Sequence, residues 1–321
     1  MAVRDAAGRS VTVAAPSRRV FPAGPPAGMV LYSIAPQAML GWSTPPGPKA
    51  LPFLGPGADL PALGRLTGRG GEANVETVLR LKTDLIVDLG MTSGTYVSLA
   101  ERVQQATGIP YLLLDGALDA LPATYRLLGP VLGAAEAGEA RADFIARHLA
   151  AISDTLRDVP QDRRPRVYLA RGARGLESAR AGSINVEAVE RAGGRNVVGE
   201  AMGPGALVAV SMEQVLAFDP DVIIVLDPDF FARMAADPLW AQLRAVRTGR
   251  AVLAPQLPFP WVDYPPSVNR VMGVIWLAQL FFPDRFAFNV RVEAREFYKL
   301  FYHRALEEAE LDALLAHAWF R

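Results

Sequence analysis

Apolar residues along the chain fall into short continuous runs separated by longer stretches with only one apolar face. Leu85-Ile86-Val87-Asp88-Leu89, Tyr111-Leu112-Leu113-Leu114, Val167-Tyr168-Leu169-Ala170 and Val222-Ile223-Ile224-Val225 are such runs. Their length and flanking turn residues predict buried strands. Between Gly133 and Asp158 the pattern changes: Phe144, Ile145, His148, Leu149, Ile152 and Leu156 recur at helical spacing on one face. Pro130 lies before this segment and Pro160 after it. A helix of ~24 residues would be ~36 Å long, a stiff spine unlike a Gly/Ser linker.

The pattern is duplicated at a spacing of 137 residues. Asn74 to Leu89 lies over Ser211 to Leu226, with identical residues at 76/213, 78/215, 79/216, 84/221, 86/223 and 89/226. Each copy reads as an N-cap (Asn74 or Ser211), a short helix, a polar turn and a buried strand with an acidic residue at its start. Gln214 completes a capping box with Ser211. The flanks repeat as well: Arg19 to Gly24 parallels Arg166 to Arg171 as an opening strand, and Gly108 to Leu114 parallels Gly249 to Ala254 as a closing one. Alternation of strand and helix in each half predicts parallel sheets covered on both faces. The expected architecture is α/β, with two Rossmann-like lobes over 5–132 and 160–321 joined by one long backbone helix over 133–159.

Composition removes several classes of function. Half of the 321 residues are apolar (51%), enough for full cores, yet no apolar run approaches the ~18 residues of a membrane span. The nearest candidate, Val268 to Phe282, is interrupted by Asn269, Arg270 and Gln279. Met1-Ala2-Val3-Arg4 leads into a polar stretch with no secretory signal, which fits a cytoplasmic chain or one whose signal has been removed. Lys plus Arg and Asp plus Glu balance at 33 each, with no basic block to suggest nucleic acid. Cysteine is absent, so thiolate metal sites, Cys nucleophiles and disulfides are excluded. His148, His303 and His317 are far apart in sequence and predict core or surface roles rather than a bare-metal site. No G-x-G-x-x-G follows a strand in a proper unit, and no Walker loop or nucleophile elbow occurs, which disfavours a nucleotide-binding α/β enzyme.

In open α/β sheets ligands bind beyond the carboxyl ends of the strands. In the first half this rule points to Gly24-Pro25-Pro26, Gly41-Trp42-Ser43-Thr44, Gly90-Met91-Thr92-Ser93 and Asp115. In the second it points to Arg171 through Ser178, Asp227, and Pro255 through Tyr264. Arg171 and Arg174 offer planar donors for carboxylate, catecholate or oxyanion groups, though pairing with Glu177 would also account for them. The loop Phe259-Pro260-Trp261-Val262-Asp263-Tyr264 carries aromatics suited to a large flat ligand, with Trp42 and Tyr96 as an opposite wall. Core packing is the other reading of Trp42. Trp240, Trp276 and Trp319 sit in helical patterns and read as packing residues.

The chain resembles the class III, helical-backbone periplasmic binding proteins of ABC importers for ferric siderophores, haem, cobalamin and some oxyanions. The resemblance spans about Asp5 to Phe286 and rests on ordered motifs. These are Asp5 to Val13 as an opening hairpin, Asn74-Val75-Glu76 with Leu81 to Ile86, Ser211 to Gln214 with Asp219-Pro220-Asp221, and the second-lobe entry. That entry is Arg174-Gly175-Leu176-Glu177, Gly182-Ser183-Ile184-Asn185 and Gly193 to Val197. The resemblance implies a non-enzymatic, monomeric, extracytoplasmic protein with no resident cofactor or protein-bound metal. It implies capture of a metal chelate, foremost a ferric siderophore, in an interlobe cleft lined by Trp42, Met91, Thr92, Tyr96, Arg171, Arg174, Glu177, Trp261, Asp263 and Tyr264. Cobalamin, haem, molybdate and tungstate are the alternatives. It also implies docking to a permease dimer through Glu76 and Glu213, although a Glu in a helix's first turn is favoured by the dipole in any case.

Overall fold

Strands form where the continuous apolar runs lie. The computed structural model describes residues 1–67 and 75–320, and the chain divides into two units. Unit 1 comprises Met1–Arg147, Pro265–Val268 and Glu296–Ala305. It opens with an antiparallel hairpin of β1 (Ala2–Arg4) and β2 (Ser10–Thr12). The turn is built on Asp5, which accepts the backbone N–H groups of Ala7 and Arg9 and the Arg9 guanidinium. The same carboxylate accepts the N–H of Leu113 at 3.3 Å, tying the hairpin to the sheet. That sheet is parallel, in the order β3 (Val20–Pro22), β4 (Leu85–Gly90), β5 (Tyr111–Asp115). The central strand β4 is buried on both faces, hence its unbroken run of apolar residues around Asp88.

Helices α1 (Pro25–Ile34), α2 (Val75–Arg80), α3 (Gly94–Thr107) and α4 (Leu121–Val131) belong to this unit. Pro25 and Pro26 suit the first turn of α1, where no N–H is needed. Gly108, at φ +70, ends α3 in a left-handed cap. Phe21, Val78, Ile86, Ala100, Val103 and Tyr111 form a core beneath the sheet. The spine is a single helix, α5 (Ala135–Leu156), of 22 residues.

Unit 2 comprises His148–Tyr264, Asn269–Arg295 and Leu306–Arg321. Its parallel sheet contains β6 (Arg166–Ala170), β8 (Arg195–Asn196), β10 (Val222–Val225) and β11 (Ala251–Leu253), in the order β11-β10-β6-β8. A separate antiparallel pair, β7 (Glu177–Ala179) with β9 (Leu207–Ala209), lies beyond the end of β6. The helices are α6 (Glu187–Arg191), α7 (Val197–Met202), α8 (Met212–Phe218), α9 (Pro228–Met234), α10 (Arg244–Arg247) and α11 (Asn269–Phe281). They are followed by α12 (Val290–Phe301) and α13 (Glu308–Leu315). Tyr168, Val198, Val215, Ile223, Phe230 and Trp240 form its core. No helix among the described residues is long and apolar enough to cross a membrane.

The duplication is visible atom by atom. In each sheet the middle strand of the repeat, β4 or β10, pairs with the opening strand on one side and the closing strand on the other. Lys82 and Asp219, equivalent in the repeat, both adopt positive φ (49° and 37°) as the chain leaves α2 and α8. The acidic residue that follows has one task in both copies. Asp84 accepts the N–H groups of Arg18 and Arg19, and Asp221 accepts that of Arg166 at 2.8 Å. Each carboxylate thus holds the entry to the opening strand. The capping box of Ser211 and Gln214 is present; Asn74, the equivalent cap in the first copy, lies outside the described residues.

One boundary differs from the expected division. Residues 265–268 and 296–305 belong to unit 1 rather than to the C-terminal lobe, and the division falls inside α5 after Arg147. Aromatic packing accounts for this. Phe297 stacks on Phe301 at 4.3 Å, and Phe301 meets Phe144 at 5.6 Å and Tyr125 at 5.8 Å within unit 1. Contacts so distant in sequence leave no mark on local periodicity.

Candidate functional site

The richest polar cluster at a strand's carboxyl end lies in unit 2. Strand β6 ends at Ala170, and Arg171 is the next residue. Gly172 (φ +73) and Gly175 (φ +68) then turn the chain back into β7. At Gly175 a Cβ would stand 2.3 Å from the Phe230 ring, so the turn is packed hard against α9. The reversal forms an antiparallel bridge in which Arg171 N–H donates to the Glu177 carbonyl at 2.8 Å and Glu177 N–H to that of Arg171 at 3.3 Å.

The Arg171 side chain is only 12% exposed and reaches two carboxylates. Its Nε donates to Asp263 Oδ2 at 2.5 Å, and its Nη1 pairs with Glu177. Asp263 is fully buried, and its other oxygen accepts from Asn185 Nδ2 at 2.5 Å. Asn185 is oriented by a turn in which its own N–H donates to Ser183 Oγ. Asn269, at the start of α11, bonds the carbonyl of Pro260 and, at 3.5 Å, that of Asp263. The loop from 259 to 264 is therefore pinned from behind, and Asp263 fixes the guanidinium plane. Arginine so held presents its remaining edge to a planar or tetrahedral anion.

Other expected site residues are placed differently. Arg174 is exposed and lines a shallow hollow of about 160 Å³ with Leu176, Met212, Phe230, Arg233 and Trp240. It shares none of Arg171's hydrogen-bond partners, so the two arginines do not form one clamp. Trp42 is 2% exposed, donates from Nε1 to the Gly57 carbonyl and packs on Tyr32 at 5.1 Å. Trp261 is fully buried. Both tryptophans are core residues, which corrects the expectation of opposed aromatic walls. Tyr264 is half exposed, and Tyr96 is partly exposed in the first turn of α3. Met91, highly exposed, and Thr92 occupy the turn between β4 and α3 in unit 1. Ser93 caps α3 without a side-chain hydrogen bond, and its carbonyl accepts the N–H groups of Tyr96 and Val97.

Glu76 and Glu213 are both exposed in the first turns of their helices. A hydrogen bond from the Ser211 side chain holds the Glu213 carboxyl below its ordinary value of 4.5. Trp240 and Trp276 are buried as expected, but Trp319 is 38% exposed. His148 is buried and pairs with Glu293 at 2.8 Å, a carboxylate partner hidden by a separation of 145 residues. Among the described residues no group of His, Asp or Glu could hold a metal ion.

Residues 59–257 match the periplasmic binding protein family. The chain belongs to that family. Its members are transport binding proteins, not enzymes. This family member is 31% identical over 165 residues to the molybdate-binding protein MolA of Haemophilus influenzae, an alignment covering 50% of this chain and 45% of the relative. The chain thus spans about half the length of the curated relative it matches. Among solved structures, an ABC transporter solute binding protein from Sulfurospirillum deleyianum is 27% identical, with a TM-score of 0.89 over 98% of this chain and 99% of the other. MolA bound to molybdate, from a Haemophilus influenzae ABC transporter, shares the fold, with 20% identity and a TM-score of 0.77 over 96% of this chain and 99% of that one.

Asn185 was not singled out by sequence reasoning as a site residue. Its place in Gly182-Ser183-Ile184-Asn185, a turn that returns toward the sheet, was the available signal.

Proposed function

We propose that the chain is the extracytoplasmic substrate-binding component of an ABC importer and that its substrate is a small oxyanion of the molybdate or tungstate type. One observation carries the reading: Arg171, fixed at the end of β6 by a buried Asp263 that Asn185 holds in turn. A guanidinium with a preset plane loses little freedom when it bonds a tetrahedral oxyanion. The likeness to a molybdate-binding protein over half the chain supports the same choice.

A ferric siderophore, haem or cobalamin is the second reading. It draws on Tyr96, Tyr264 and Arg174, but a large flat ligand needs aromatic faces, and Trp42 and Trp261 are committed to the core. In both readings the protein acts as a monomer and delivers its substrate to a permease through Glu76 and Glu213.

The test is thermal unfolding of the purified chain with molybdate, tungstate, sulfate, a ferric tricatecholate and haemin. A ligand at a hundred times its Kd stabilises by about 2.7 kcal/mol, a readily measured rise in Tm. Molybdate or tungstate should give that rise. A rise with the ferric chelate or haemin alone would move the assignment to the second reading.

A further inference from the structure

Arg171 has two anionic partners of unlike freedom. Asp263 is fully buried and bonded through both oxygens, to Arg171 and to Asn185. The Glu177 side chain is 50% exposed. The backbone bridge keeps Glu177 opposite Arg171 whatever its side chain does. The cluster therefore holds one cation and two anions, a surplus of negative charge where an anion is read to bind.

An incoming dianion on the end of that guanidinium would meet the negative charge of Glu177 at Nη1, and burial decides which carboxylate yields. Withdrawing Asp263 would strand buried polar groups, a large cost. Releasing Glu177 gives up only a solvent-facing ion pair, and its carboxylate rehydrates. We propose that Glu177 is a resident counter-ion that occupies the ligand-facing edge of Arg171 in the empty protein and swings into solvent when the anionic substrate arrives. This inference rests on the oxyanion reading above. It makes Glu177 a residue that sets affinity. The cost of releasing Glu177 falls on every anion that displaces it, so it lowers the affinity for monoanions and dianions alike.

Titration calorimetry of the wild type, Glu177→Gln, Arg171→Met and the double variant with molybdate, tungstate, sulfate and nitrate tests it. Glu177→Gln should bind molybdate about fivefold more tightly, the order expected for release from one exposed ion pair. Tungstate, sulfate and nitrate should gain by a similar factor, because the release of Glu177 is common to every anion that displaces it. The double variant should bind no more tightly than Arg171→Met, because nothing remains for Glu177 to release. Equal affinity in wild type and Glu177→Gln overturns the counter-ion while leaving the oxyanion reading intact. Weaker binding by Glu177→Gln overturns it too and makes Glu177 a direct ligand contact. Failure of wild type and Glu177→Gln alike to bind any of the four anions removes the oxyanion reading, and the counter-ion with it. Melting curves of the empty proteins establish that each variant is folded.

Discussion

Asp263 and Arg171 stand 92 positions apart in the chain and meet at 2.5 Å, with the aspartate fully buried. The aspartate serves as a strut for the arginine. Asp263→Asn preserves shape but sets an amide against two donors, the Arg171 guanidinium and the Asn185 amide. Removing one member of a buried charged pair costs about 3–5 kcal/mol. Because Arg171 retains Glu177, a loss at the lower end, about 3 kcal/mol, is expected. Urea denaturation measures it, and a loss below about 1 kcal/mol, the level of an exposed pair, would refute the strut.

The turn after β6 offers a paired test of packing. Gly175→Ala must accept φ +68 and a Cβ 2.3 Å from the Phe230 ring. Gly172→Ala accepts φ +73 with nothing within 4 Å. The backbone penalty is about 1–2 kcal/mol at either site, and overpacking adds about 1–3 at Gly175 alone. Thermal denaturation should therefore rank Gly175→Ala clearly below Gly172→Ala. Equal losses would mean that Phe230 moves aside freely.

The repeat was legible in sequence because its chemistry is local. Glu76/Glu213 and Asp84/Asp221 recur at a fixed offset, and the aspartates do recur as caps on the opening strands. The strands were legible because double-sided burial leaves unbroken apolar runs. Three features were not. Phe297 and Phe301 gave no sign that they pack in unit 1, because their partners Tyr125 and Phe144 are remote in sequence. Trp42 and Trp261 sit in glycine- and proline-rich loops, where composition suggests exposure although the indoles turn inward. Asn185 became a site residue only once the fold brought Asp263 to it.

The matched glutamates allow a test of docking. Glu76 and Glu213 are exposed and make no contribution to either core. Glu76→Arg and Glu213→Arg should each lower stability by only about 1 kcal/mol, the loss of a favourable dipole interaction, and leave molybdate affinity unchanged while sharply reducing stimulation of the partner permease's ATPase in vesicles. The double variant should be the weakest, since charge reversal places like charges across the interface. Stimulation at the wild-type level by the double variant would exclude these two residues from docking.

A buried carboxyl in unit 1 sets a pH dependence. Asp88, in the middle of β4, accepts from the Thr67 hydroxyl and the Tyr111 hydroxyl, each at 3.1 Å. Burial is the dominant influence and pushes its carboxyl above the ordinary value of 3.8, with the two hydroxyls opposing. A raised folded pKa means that the native state holds the proton more tightly than the unfolded chain does. Its contribution is then complete below about pH 4 and is lost as pH rises through the folded value. Asp88→Asn removes that penalty, since its carbonyl can still accept from one hydroxyl and its amide can donate to the other. The variant should match the wild type near pH 4 and exceed it in stability at pH 7.5, measured by urea denaturation at both values. A deficit larger at pH 7.5 than near pH 4 would show that the two hydroxyls stabilise the carboxylate more than burial destabilises it.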